Sequence, residues 1–233
     1  MEGLDDRAIR REPDALLRCW ARRERGFAWS INTHRFPLIS SSDRGSYLIL
    51  SAPHAGSQTR DGRTKVEDSG TGSLIEIVGQ AWALSTVTVS GTQPDDPNWD
   101  HAVGPYKREL HSILQREPHL VLDVHAMRPD NRPDICLGLG NYPSAHTLAL
   151  ALELQRLALD RGFVVTIDNP FNARRSSTIT SYVQSLHRDA MQIEINAKWM
   201  RPGSDPQAAE RFLSWFSEAI EISASETYRR RAA

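Results

Sequence analysis

Two histidines and three acids carry the chemistry this chain can do: His54 in Ala52-Pro-His-Ala-Gly56, Glu67 and Asp68 in Glu67-Asp-Ser-Gly-Thr71, His125 in Leu122-Asp-Val-His-Ala-Met127, and Glu194 in Met191-Gln-Ile-Glu-Ile-Asn196. Two imidazoles and one carboxylate make a three-ligand zinc set with one position left for water, the pattern of catalytic rather than structural zinc. A further carboxylate can take a proton from that water. These residues are far apart in sequence, and the chain has no His-Glu-x-x-His helix. The set therefore depends on the elements that bring it together. Glu67 and Asp68 both stand open as the carboxylate ligand. Their plainer role is to cap a helix start and pair with its dipole, worth about 0.3–1 kcal/mol.

The stretch from His119 to Arg128 is the element the others must meet. Leu120, Leu122 and Val124 alternate with Val121, Asp123 and His125, which is a strand pattern because side chains alternate faces along a strand. Such a strand delivers an acid and an imidazole to its C-terminal end, the edge where open α/β sheets bind ligands. Asp123 shares a face with His125 and is placed to orient it. Tyr47–Ser51 reads as another strand, breaking into Pro-His-x-Gly, where small residues allow close approach. Further strands are expected over Ser85–Ser90, Pro133–Leu139, Phe163–Ile167 and Met191–Asn196, the last with Gln192, Glu194 and Asn196 on one face.

Helices are expected to start at Glu67–Thr71, near Pro105–Leu114, over Ser144–Leu159 and over Pro206–Ser223. Residues 40–45 and 57–66 read as loops. Residues 1–25 read as a helical extension, with Leu16, Leu17 and Trp20 on a helix from Asp14 to Arg23 that packs onto the main domain. Strands alternate with helices, and no linker or repeat divides the chain, so the reading is a single α/β domain over residues 1–233. The loop Asn169–Ser177 carries adjacent Arg174 and Arg175, and a guanidinium there can hold a substrate carboxylate through two parallel hydrogen bonds.

Composition narrows the partners. The chain has 233 residues, 39% hydrophobic and 24% charged, with a net charge of -1. That is a globular composition with a sizeable core, and it has no basic footprint for nucleic acid. The two cysteines, Cys19 and Cys136, make neither a disulfide framework nor a metal-ligand spacing. Any metal must therefore use histidine and carboxylate. The first residues are charged and lack an apolar secretory core, and no apolar run approaches the roughly 20 residues of a membrane span. A cytoplasmic location is the default expectation.

The four motifs around His54, Asp68, His125 and Glu194, in that order and with Pro133-Asp-Ile-Cys-Leu-Gly138 following the third, resemble those of the N-formylglutamate amidohydrolases. The resemblance covers about residues 45–200. That family is similar in fold and chemistry to the zinc carboxypeptidases and aspartoacylases. It implies a phosphorylase/hydrolase-like fold: a central mixed, mostly parallel sheet flanked by helices. It also implies a zinc-dependent hydrolase of linear amides acting on an N-acyl, for instance N-formyl, amino acid. Carried over by position, His54 and His125 are zinc ligands and Glu194 is the general base. In the related polyglutamate hydrolases a carboxylate stands three residues before a threonine in a comparable helix start, the relation that Asp68 has to Thr71. Asp68 is thus preferred to Glu67.

Two departures touch the substrate side. The family's Asp-x-Asn-Arg is Asp96-Pro-Asn-Trp99 here, which removes a substrate-binding arginine, and the Gly-Gly after Asn-Pro-Phe is Asn172-Ala173, with Arg174 and Arg175 following. Arg60 and Arg128 are the next candidates for a substrate carboxylate. Two alternatives stand beside the amidohydrolase reading: a degenerate member of the fold that binds a ligand or partner, and a peptide or polyglutamate hydrolase.

Overall fold

The computed structural model describes residues 11–33, 38–115 and 120–232. Residues 1–10 of the N-terminal extension and His119 lie outside them. The chain forms one α/β domain around a seven-stranded sheet in the order β1-β5-β2-β6-β9-β7-β8, flanked by helices. The strands are β1 (Leu38–Ser42), β2 (Leu48–Ala52), β5 (Ser85–Ser90), β6 (Leu120–Met127), β7 (Ile135–Gly138), β8 (Val165–Ile167) and β9 (Asp189–Asn196). A separate hairpin joins β3 (Gln58–Arg60) and β4 (Arg63–Lys65). Pairing is parallel except for β1 with β5 and β7 with β9, so the expected mixed, mostly parallel sheet is present.

The sheet is apolar because both faces are covered. Every residue of β2, and all of β6 but Ala126, is buried, as a parallel strand between helical layers must be. The helices are α1 (Pro13–Thr33), α2 (Thr71–Trp82), α3 (Pro105–Leu114), α4 (Ala145–Asp160), α5 (Ile179–Ser185) and α6 (Pro206–Ala232). One group is made by α1 lying on α2 and α6, with α4 on α6. Trp20 of α1 donates its indole N–H to Ser73 Oγ of α2 at 3.0 Å and meets Phe212 of α6 at 6.4 Å between centroids. In the other group, His111 of α3 contacts the Tyr182 hydroxyl of α5. Burying each Leu, Ile or Phe of these interfaces contributes about 1.5–3 kcal/mol. No helix of the described residues is long and apolar enough to cross a membrane.

The structure differs from the sequence reading at several places. The first helix runs ten residues beyond Arg23, to Thr33, and the last continues past Ser223 to Ala232. Residues 40–42 belong to the edge strand β1, whose mostly polar, partly exposed Leu-Ile-Ser-Ser-Ser lacks an apolar alternation. The basic loop 57–66 contains the β3–β4 hairpin. Helix α5 is too short to show a helical period. No side chain caps α2: its N-cap is Gly70, at φ 88° in the left-handed region, without a side-chain hydrogen bond. The acids before it are therefore free for other partners.

Topology places the site. The chain leaves β2 through α2 to β5 on one side of β2, then passes through α3 to β6 on the other side. The C-terminal ends of β2 and β6 thus flank a switch point, the crevice where open α/β sheets bind ligands. The turn carrying His54 follows β2 there and is tied to the segment after β5, with Gln93 N–H donating to Ser57 O at 2.7 Å. Gly56 is needed for that closeness, since a Cβ on it would lie 2.4 Å from the Gly91 carbonyl oxygen. Gly56→Ala is expected to lower stability by about 1–3 kcal/mol, the cost of forcing an extra methyl into packed surroundings. Gly203→Ala, where a Cβ meets nothing within 4 Å, should change stability by less than about 0.5 kcal/mol. Urea denaturation of both variants measures this, and equal midpoints would contradict it.

Candidate active site

His54, Asp68 and His125 arrive at the switch point from three segments. His54 sits two residues past β2, His125 lies within β6, and Asp68 precedes α2. The backbone ties Asp68 to His54 directly, its N–H donating to the His54 carbonyl at 2.8 Å, while Thr71 donates both N–H (3.2 Å) and hydroxyl (2.7 Å) to the Asp68 carbonyl. This fixes the carboxylate over the two rings. Asp68 Oδ2 lies 3.1 Å from His125 Nδ1 and 3.4 Å from His54 Nδ1, and the two Nδ1 atoms are 3.1 Å apart. Glu67 points elsewhere and accepts from Ser57 Oγ at 2.9 Å.

The outer nitrogen of each ring meets a fully buried carboxylate. His54 Nε2 is 2.8 Å from Asp96 Oδ1. His125 Nε2 is 3.1 Å from Asp123 Oδ2, whose other oxygen accepts from Ser51 Oγ at 3.0 Å. Asn98 Nδ2 also approaches His125 Nε2, at 2.8 Å. Its amide is oriented by Ile179 N–H, which donates to Oδ1 at 2.6 Å.

Electrostatics follow from this crowding. Burial drives the His125 pKa down, but Asp123, Asp68 and Glu194 outweigh it and hold the ring well above the ordinary histidine value. Burial pushes the Asp68 carboxyl up, yet the two imidazoles and Lys65 hold it well below the usual range. Lys65 Nζ is 2.8 Å from Asp68 Oδ1. Asp96 is likewise buried but depressed, by His54 and by Arg60, whose Nη2 lies 2.6 Å from Oδ2. The carboxylates around His125 thus favour positive charge among the three inner atoms.

These residues fit a tetrahedral dication such as zinc. Ligand bonds of about 2.0–2.2 Å at tetrahedral angles put ligand atoms roughly 3.3–3.6 Å apart, within a few tenths of an ångström of the 3.1–3.4 Å found. A second observation agrees. Asp123 Oδ2 is buried and has no aligned hydrogen-bond donor among the described residues. A metal on His125 Nδ1 obliges the ring proton to sit at Nε2, 3.1 Å from that oxygen, where it displaces the donor contact of Asn98 Nδ2. Histidine ligands held by a carboxylate at the far nitrogen are the usual outer support of a zinc site.

Glu194 of β9 stands beside His125 in register and is 7% exposed. Gln192, two residues earlier on the same strand face, donates its side-chain N–H to Glu194 Oε1. Burial raises the Glu194 pKa to about 7, with His125 opposing and Asp68 adding to the rise. A carboxyl poised near neutrality beside a metal set has the properties of a general base.

The four residues line one cavity of about 880 Å³ together with Arg60, Trp99, Arg128, Arg174 and Arg175. Arg174 is bound to Asp168, Nη2 to Oδ2 at 2.6 Å, and Arg175 lies over the Trp99 ring. Asp96 and Asn98, which touch the two imidazoles, were not candidates from sequence. Their sequence signal is the Asp and Asn of Asp96-Pro-Asn-Trp99, a segment whose reading rests only on the arginine it lacks.

A model of the N-formylglutamate amidohydrolase family matches residues 100–200, so the resemblance holds across the segment carrying Asp123, His125 and Glu194. Among solved structures the chain is similar to a bacteriophage poly-gamma-glutamate hydrolase, at 18% identity and TM-score 0.56, covering 82% of this chain and 89% of that one. It is similar to N-formylglutamate amidohydrolase from Ralstonia eutropha, at 15% identity and TM-score 0.53, covering 86% and 100%. A third structure, YNDL in a zinc-free apo form, matches at 15% identity and TM-score 0.51 over 82% and 91%. At such identities the likeness is one of fold. The curated proteins contain no match.

The raised Glu194 pKa has a consequence for stability. Below its unfolded value near 4.5 the carboxyl is protonated in both states and costs nothing. As pH rises from there to about 7, the unfolded chain ionises while the native one holds its proton, so the native state loses stability, by on the order of 3 kcal/mol in total. Glu194→Gln removes this loss. In the presence of a chelator the variant should gain on the wild type between pH 4.5 and 7 and stay ahead above it. Parallel stability curves at pH 4 and pH 8 would show that Glu194 is not strained by burial.

Proposed function

We propose that this protein is a zinc-dependent amidohydrolase that cleaves the linear amide of an N-acyl amino acid, N-formyl amino acids among them. The observation that carries this is the triangle of His54, Asp68 and His125 with Glu194 beside it on the next strand. The family match and the folds of the relatives support the same reaction class.

In this reading His54 Nδ1, Asp68 Oδ2 and His125 Nδ1 hold the metal, and Asp96 and Asp123 fix the tautomers of the two rings. Bound zinc supplies a Lewis acid that acidifies water and polarises an amide carbonyl. Glu194 accepts the proton of the attacking water and passes it to the leaving amine. Its shelter from solvent keeps its basicity close to neutral pH. The cations lining the cavity neutralise the substrate's carboxylate, and at least one of Arg174 and Arg175 is proposed for that contact. The size of the cavity and its six cationic side chains favour a polyglutamate or peptide substrate as the second reading.

Elemental analysis of the purified chain is expected to give about one zinc per molecule. His54→Ala, His125→Ala and Asp68→Ala should each lose most of it, and Glu67→Ala should not. Glu194→Gln should keep the metal and lose about 10²–10⁴-fold in turnover, the range for a positioned acid–base group. A chain that takes up no zinc would end the mechanism. One that binds zinc but releases no amine from any N-acyl amino acid would be a binding protein on the same fold. Release from polyglutamate alone would select the second reading.

A further inference from the structure

The six cations of the cavity are not equivalent. Arg60 is matched by Asp96, Lys65 by Asp68, Arg128 by Asp130 and Arg174 by Asp168. Asp168 also uses Oδ1 to accept from Leu139 N–H at 2.8 Å, so the Arg174 pair fastens its loop to the end of β7. Arg175 and Arg201 have no carboxylate partner among the described residues. Of these two, Arg175 is the one held in place: its guanidinium carbon lies 3.6 Å from the centroid of the Trp99 ring. A guanidinium stacked on an aromatic face is attracted by the ring while its in-plane N–H donors stay available to an anion.

Trp99 is itself fixed. Its indole N–H donates to Asp61 Oδ1 at 3.0 Å, and Arg60 packs over the same ring at 4.7 Å. The segments on either side of the stack are bonded to each other, Ser177 Oγ to Asn98 O at 3.2 Å and Ile179 N–H to Asn98 Oδ1 at 2.6 Å. Asn98 reaches His125 at 2.8 Å. The stack is thus joined to the metal set through one residue. The arginine expected at position 99 is replaced by a tryptophan that receives an arginine from another loop.

Resting on the amidohydrolase reading, we propose that Arg175 is the anchor for the carboxylate of the substrate's amino-acid part, with Trp99 as its positioning residue and Arg174 as a loop fastener. Pre-ordering on the indole lowers the entropy lost when a long flexible side chain captures an anion. The site selects N-acyl amino acids bearing a free carboxylate over their uncharged analogues.

The test is calorimetric binding of N-formyl-L-glutamate and of its uncharged diamide to the zinc-loaded Glu194→Gln protein, with turnover of the acid measured in parallel on the Glu194 enzyme. Adding Arg175→Lys should weaken the acid by about 10- to 100-fold, the loss of a charge-assisted pair, and leave the diamide unchanged. Trp99→Leu should weaken the acid by about 2- to 5-fold, and Trp99→Phe should recover most of that. A merely structural role for Trp99 would affect both ligands alike. Equal losses for acid and diamide, or selectivity that follows Arg174→Lys or Arg201→Lys instead, would overturn the assignment while hydrolysis by the wild type leaves the amidohydrolase reading intact. Selective binding through Arg175 without hydrolysis would keep the anchor and remove that reading. A protein that neither binds nor hydrolyses the acid would remove both.

Discussion

Two imidazole nitrogens and a carboxylate oxygen sit within 3.4 Å of one another on side chains that are at least nine-tenths buried. Such a cluster holds together only around positive charge. Asp68 on one side of the His125 ring and Asp123 on the other favour positive charge there. A dication can take the same place because the outer nitrogens already face fixed carboxylates. The surrounding structure serves this one constraint. The strand ends of β2 and β6 fix the rings, a backbone bond from Asp68 to the His54 carbonyl fixes the third ligand atom, and the buried Asp96 and Asp123 prevent the rings from turning away.

The segment from Asp96 to Asp100 joins metal holding to recognition. Asp96 faces His54, Asn98 faces His125, and Trp99 carries Arg60 and Arg175. It is stiffened from inside: Asp96 N–H donates to Asp100 Oδ2 at 2.9 Å, and the buried Lys107 donates to the Asp100 carbonyl at 2.8 Å. A short loop can bear three roles because alternate side chains of a tight turn point in different directions and its own backbone groups are satisfied internally. Arg60 also bonds to Asp96, so the oxygen atoms that orient His54 are one residue removed from the cavity surface.

Glu194 lies at the opposite extreme of electrostatic comfort. It is buried near Asp68 and Asp123, and Gln192 and the charge of His125 offset its desolvation in part. Such a residue lowers the stability of the fold at neutral pH, and packed sheets rarely keep one without a use for its basicity. The parallel pairing of β6 with β9 is what forces the contact, since His125 and Glu194 are register partners. Catalytic geometry and backbone hydrogen bonding are here the same constraint.

Much of this was legible in the residues themselves. Apolar or β-branched runs marked β2 and β5, and alternation marked β6 and β9, because a strand buried on both faces must be apolar wherever it is not functional. The polar exceptions in such strands, Asp123, His125 and Glu194, were visible for the same reason: burying them without purpose is costly. The mixed sheet came from the ordered motifs. Elements whose residues face solvent or form a single turn left no period to read, which is why β1, the β3–β4 hairpin and α5 emerged only in three dimensions. The sequence left Arg174 and Arg175 undivided, and set Asp68 above Glu67 only through the spacing to Thr71 that the family resemblance implies. Tertiary structure separated them through contacts made by distant segments: Ser57 takes Glu67, the two imidazoles take Asp68, Asp168 takes Arg174, and Trp99 takes Arg175. Adjacent residues on a turn diverge by the direction of one Cα–Cβ bond, and the partner each one meets is decided by how the loops dock.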